Sequence, residues 1–143
     1  MQQTITQIMI KEHAKIDRIF EEFETSLETN FEESKQLFKD FKWNLEKHFF
    51  IEEKVIFHIY NSATEKESEE IMNLLKDHKD LQWRINRIEN SSIANMKPIL
   101  QELKIILKSH VGLENNIFYP KLDSELDEKS KALILEKTEE IIG

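Results

Sequence analysis

The chain has no cysteine, and only two glycines and two prolines among its 143 residues. The missing cysteines exclude disulfides, thiolate metal sites and cysteine nucleophiles, and accord with a reducing compartment. So little glycine and proline leaves few turn signals, while Leu, Ile, Glu and Lys dominate, which favours helices over strands. A basic block is also missing. Twenty Lys and Arg are interspersed with 28 Asp and Glu for a formal charge of −8, which argues against nucleic acid or an anionic membrane as partner and suits solubility. No apolar run approaches the roughly 20 residues of a membrane span, and Met1-Gln2-Gln3-Thr4 lacks the charged start of a signal peptide. The expectation is a soluble cytoplasmic protein forming one domain over residues 1–143, with about two thirds of its unfolded surface buried.

What is present is helical periodicity. Apolar residues three and four apart form stripes through Ile5–Leu27, Leu37–Ile59, Ile71–Ile88 and Ile99–Phe118, and a shorter one from Leu126 to Ile141. Asn30 with Glu33 and Thr64 with Glu67 read as capping boxes. Asn95 reads as a cap with Pro98 in the first turn, Pro120 as a helix stop, and Asp123 or Ser124 as the last cap. Four helices of about 25 residues joined by short breaks describe an all-α, up-down-up-down four-helix bundle with a short C-terminal fifth helix.

Two phrases recur on these stripes. His48-Phe49-Phe50-Ile51-Glu52 and His110-Val111-Gly112-Leu113-Glu114 each place an imidazole and a carboxylate one turn apart, about 40° different around the helix axis. Each follows a lone histidine, His13 in Lys11-Glu12-His13 and His78 in Lys76-Asp77-His78, by 35 and 32 residues. The chain is therefore two copies of one unit, and antiparallel packing brings the middle of every helix to one level. Six imidazoles and carboxylates among Ile, Leu and Phe cost several kcal/mol unless paired. No lysine or arginine shares their stripes, so a cation is the economical partner. Imidazole and carboxylate suit iron, manganese or zinc, and two shared carboxylates suit a pair of ions. Even division gives each ion two histidines and a share of both glutamates; an oxo or hydroxo bridge then leaves one octahedral position open.

With these six residues in place, the chain from about residue 5 to 122 resembles the hemerythrin-like proteins, the HHE cation-binding domain family. The resemblance implies a single hemerythrin-like domain with two iron ions, oxo- or hydroxo-bridged. The iron ligands it implies are His13, His48, Glu52, His78, His110 and Glu114, with the two glutamates bridging. It also implies dioxygen or another small ligand, such as nitric oxide or peroxide, as what the site binds. In two places the chain departs from the oxygen-carrying members. Gln82 stands where those have a further histidine, and Asn115 where their last carboxylate falls, so the three-to-two histidine split that leaves one iron open is absent. Some HHE domains place a ligand glutamate directly after the second-helix histidine, where this chain has Phe49.

The reading is therefore a di-iron protein that binds dioxygen or a related small oxidant for sensing, storage or protection. A di-iron oxidase or peroxidase is the enzymatic alternative, and a metal-stabilised interaction module the third. Phe49, Ile51, Leu81 and Leu113 are expected to wall the site with apolar surface. Glu53 reads as a solvated acid, His58 lies off the stripe, and Tyr119, half a turn from His110, is expected to pack against the fifth helix or face out. Trp43 and Trp83 are each about 140° from the ligand direction, at a helix edge or a partner surface. Gly112 costs about 1 kcal/mol relative to alanine inside a helix, which fits space for a bound diatomic or close helix approach on the one hand and a tolerated neutral choice on the other.

Overall fold

The computed structural model describes residues 3–64, 68–91 and 93–143, with the side chains of residues 93 and 94 left aside. Helix α1 (Ile5–Thr29) is followed by α2 (Phe31–Ile51), which runs through a π-helical turn (Glu52–Ile56) into α3 (Phe57–Thr64). Helix α4 (Glu69–Glu89) precedes α5 (Ile93–Leu113), which runs through a second π-helical turn (Glu114–Phe118) into α6 (Tyr119–Glu125), and α7 (Glu128–Ile142) closes the fold. The described residues thus form four long antiparallel rods and a shorter fifth, the bundle that the periodicity predicts.

The caps divide into those placed as expected and those not. Asn30 accepts the Glu33 N–H at 3.2 Å and starts α2. Thr64, expected to cap α4 with Glu67, is instead the last residue of α3, and α4 is capped by Ser68, which accepts from the Ile71 N–H at 3.3 Å; Glu67 lies outside the described residues. Asn95 is inside α5, whose first residue is Ile93, and Asp127 rather than Asp123 or Ser124 caps α7. Pro120 does not end the fourth rod. It lies at the start of α6, directly after a π turn whose N–H groups already reach back five residues, so a residue without an N–H is tolerated there. Asp123 has a longer reach: its carboxylate accepts the N–H groups of Ile5 and Thr6, both at 3.0 Å, and the Thr6 hydroxyl at 2.6 Å. A negative charge on these free amides and the positive helix end fastens α6 to the start of α1.

The core is split in two. One apolar cluster gathers Ile5, Met9, Ile56, Phe118 and Leu122 beneath α7; the other gathers Phe20, Phe41, Leu45, Leu81 and Leu103 towards the opposite end. Each fully buried side chain of this kind contributes about 1.5–3 kcal/mol. Between the clusters lies the only level at which several polar side chains from four rods are buried together, among the described residues. No described helix is long and apolar enough to cross a membrane.

Candidate metal centre

All six singled-out residues meet in that layer. His13, His48, His78 and His110 come from α1, α2, α4 and α5, and Glu52 and Glu114 are the first residues of the two π turns. All are buried, the two glutamates completely. Glu114 Oε1 lies 3.2 Å from the Nε2 atoms of His13 and His110 and 3.6 Å from that of His48. Glu52 Oε1 lies 3.0 Å from His48 Nε2 and 3.2 Å from His78 Nε2. The donor atoms form two groups, each within 4.8 Å: Glu52, His78, His110 and Glu114, and His13, His48 and Glu114.

These contacts are close without being aligned for hydrogen bonding. Glu52 Oε1, both oxygens of Glu114, and the Nε2 atoms of His78 and His110 are buried with no hydrogen-bond partner. The outer ring nitrogens differ. His13 Nδ1 is 2.7 Å from Asn115 Oδ1, His78 Nδ1 3.0 Å from Glu53 Oε2, and His110 Nδ1 3.0 Å from Asp77 Oδ2. Each of these oxygens accepts an N–H, which fixes the proton on Nδ1 and turns the Nε2 lone pair inward. His13 Nε2 and His48 Nε2 are 3.0 Å apart. The layer therefore presents two carboxylates and a set of lone pairs to a common point.

Burial pushes His13 from 6.5 down to about 3, with His48 adding to the effect, and lowers His110 as well. These imidazoles are neutral, the form that binds a cation. Burial opposes the charge on Glu52, but the flanking His48 and His78 outweigh it and hold its carboxyl well below the usual carboxylate range. Among the described residues neither glutamate pairs with a lysine or arginine. Lone pairs converging on Glu52 Oε1 and on both oxygens of Glu114, none of which accepts a hydrogen bond, fit a cation, and the donor chemistry fits a hard or borderline one.

Three residues behave otherwise than the sequence suggests. Tyr119 is fully buried, and its hydroxyl donates to Glu52 Oε2 at 3.1 Å beside His13 and His48. Burial and the Glu52 carboxylate keep that phenol protonated. Helical phase counted through residue 118 misplaces Tyr119 because the π turn takes up an extra residue; the four-residue His-to-Glu spacing survives because it ends where that turn begins. Glu53, 38% exposed, is not merely solvated but holds His78. Leu113 is 37% exposed and does not wall the site, whereas Phe49, Ile51 and Leu81 are buried, with the Phe49 ring stacked on His78 at 4.0 Å. A Cβ at Gly112 would meet nothing within 4 Å, so no neighbouring helix requires the glycine there. His58 is exposed, as are Trp43 (68%) and Trp83 (54%).

A match to the family described as Hemerythrin HHE cation binding domain covers residues 4–122. No curated protein and no solved structure gave a significant match. The chain belongs to the hemerythrin HHE cation-binding domain family.

Proposed function

We propose that this HHE domain holds two iron ions in the buried layer and binds dioxygen or a related small oxidant there, as a cytoplasmic sensor, store or protective protein. One ion would take His13 and His48 and the other His78, His110 and Glu52, with Glu114 common to both groups of donor atoms; Glu52, whose Oε1 is also 3.0 Å from His48 Nε2, would be shared as well. The observation that carries the reading is the arrangement of the imidazoles. Three have Nδ1 held by an outer acceptor, so that Nε2 faces two carboxylates that no lysine or arginine among the described residues neutralises. A ferrous pair, when bound, supplies two electrons to an oxidant. The chain contributes the rest. Asn115, Glu53 and Asp77 orient the rings, Phe49 and Leu81 exclude water, and the Tyr119 hydroxyl keeps a proton at Glu52.

That phenol favours a second reading, a di-iron oxidase or peroxidase, since a buried proton donor beside the centre serves turnover as well as binding. Metal analysis of protein purified without oxygen, followed by absorbance before and after air is admitted, tests both. A stable, stoichiometric oxygen-dependent charge-transfer band supports binding, and steady consumption of peroxide or oxygen under a reductant supports turnover. Bound iron with no spectral response to either oxidant contradicts both.

A further inference from the structure

The centre is reached from one side by a cavity of about 340 Å³ between α1, α2 and α5. Three of the four histidines, His13, His48 and His110, line it, and its walls include Ile16, Phe20, Leu45 and Leu107. Along α1 its lining runs from Ile10 to Phe20, about 15 Å at 1.5 Å per residue. Water occupies about 30 Å³ per molecule, so the space suits about ten non-hydrogen atoms, several times what dioxygen needs. The rim carries Asp17 opposite Lys108, and Lys104 is held by Glu24 at 3.1 Å, so the opening has no net charge. Gly112 is part of the wall and open space lies where its Cβ would be.

We propose that this cavity admits an uncharged, mainly apolar organic molecule of about that size, and that Gly112 sets the size limit. Resting on the di-iron reading above, the substrate class is an organic hydroperoxide. With a ferrous pair bound, its O–O bond would be cleaved to the alcohol and water, taking one electron from each ion and two protons from solvent. The test is calorimetry of the metal-loaded protein with cumyl alcohol, the unreactive product of cumene hydroperoxide, against wild type, Gly112→Ala and Gly112→Leu. Saturable one-to-one binding is expected, weakened a few-fold by alanine and about tenfold or more by leucine, with unchanged metal content. No saturable binding to fully loaded protein overturns the inference and leaves the metal reading standing, as does equal affinity in Gly112→Leu. Size-dependent binding by a protein that proves to hold no iron supports the cavity's role and removes the hydroperoxide chemistry alone.

A different observation carries a second inference. The repeat pairs His110 Nδ1 with Asp77, the residue before the lone His78; the corresponding residue before His13 is Glu12. Glu12 Oε2 and His48 Nδ1 are both buried and both without a partner. We infer that Glu12 is the positioning residue for His48, as Asp77 is for His110. Glu12→Gln should lose metal to a chelator about 10–100 times more readily, like Asp77→Asn, while the metal-free protein melts no lower than wild type, because a buried negative charge is gone. Glu12→Asp should restore metal retention. Unchanged retention in Glu12→Gln, or a fall in metal-free melting that matches the loss of metal, overturns the assignment.

Discussion

The two repeats build grooves on opposite sides of one centre, and the grooves are not alike. On the α1/α5 side, Val111 and Gly112 follow His110 and leave a cavity that touches three histidines. On the α2/α4 side the corresponding residues are Phe49 and Phe50. The groove there, about 330 Å³, is lined by Glu46, Glu53, Lys54 and Lys79 and touches His78 alone, whose ring is covered by Phe49 at 4.0 Å. The same position explains a further difference: five residues after its histidine, the first repeat offers the carboxylate of Glu53 to His78 and the second the neutral amide of Asn115 to His13. Five residues after the glutamates stand Phe57 and Tyr119, so only one half puts a hydroxyl on the centre. Duplication supplies the ligand set twice, and divergence at a few neighbouring positions decides which side is open and which histidine is held by a carboxylate.

The largest effect should come from the element both halves share. Glu114→Leu should reduce bound metal to one ion per chain or fewer, read by elemental analysis. The metal-free protein should melt higher than wild type, since one of two unneutralised buried acids has been replaced by a hydrocarbon of similar size. Acid should act strongly on the metal-free form. His13 titrates near 3 when folded against about 6.5 unfolded, so the unfolded chain takes up the proton first. Stability is then complete above pH 6.5 and falls progressively towards pH 3, by several kcal/mol in total, which melting curves across that range would follow. Replacing His13 by Leu should flatten that dependence.

Exchanging the outer acceptors sharpens the contrast between halves. Glu53→Gln should weaken metal retention about tenfold in a chelator challenge, and Asn115→Asp should strengthen it by making the His13 side resemble the His78 side. The smallest effect is expected of Tyr119→Phe, which copies Phe57 into the second half. It removes one hydrogen bond to a carboxylate, about 1.5–3 kcal/mol in the metal-free protein, and should leave the number of bound ions unchanged.

Helix periodicity made the bundle legible, because each rod has one apolar stripe, and the duplicated phrases made the six site residues legible as a set. What lies outside the regular spacing was harder to read. The π turns at Glu52 and Glu114 leave no mark in a hydrophobic pattern, yet they bring Tyr119 inward. Glu53, Asp77 and Asn115 sit beside ligand positions in sequence, but each is paired with a histidine of another helix, which only the packing of the rods reveals. Asp123 likewise reads as a local cap and instead serves α1, more than a hundred residues away. The departures at Gln82 and Asn115 are plain in the sequence: Gln82 turns to Asn86 at 3.4 Å, and Asn115 serves His13 through the outer nitrogen of its ring.

The most direct measurement is an anaerobic titration of the metal-free chain with ferrous iron, counting ions retained after gel filtration. Two per chain in wild type, and fewer when His13 and His78 are both changed to alanine, is the expected result. Saturation at one ion, or two ions retained without those histidines, would contradict a centre built from both repeats.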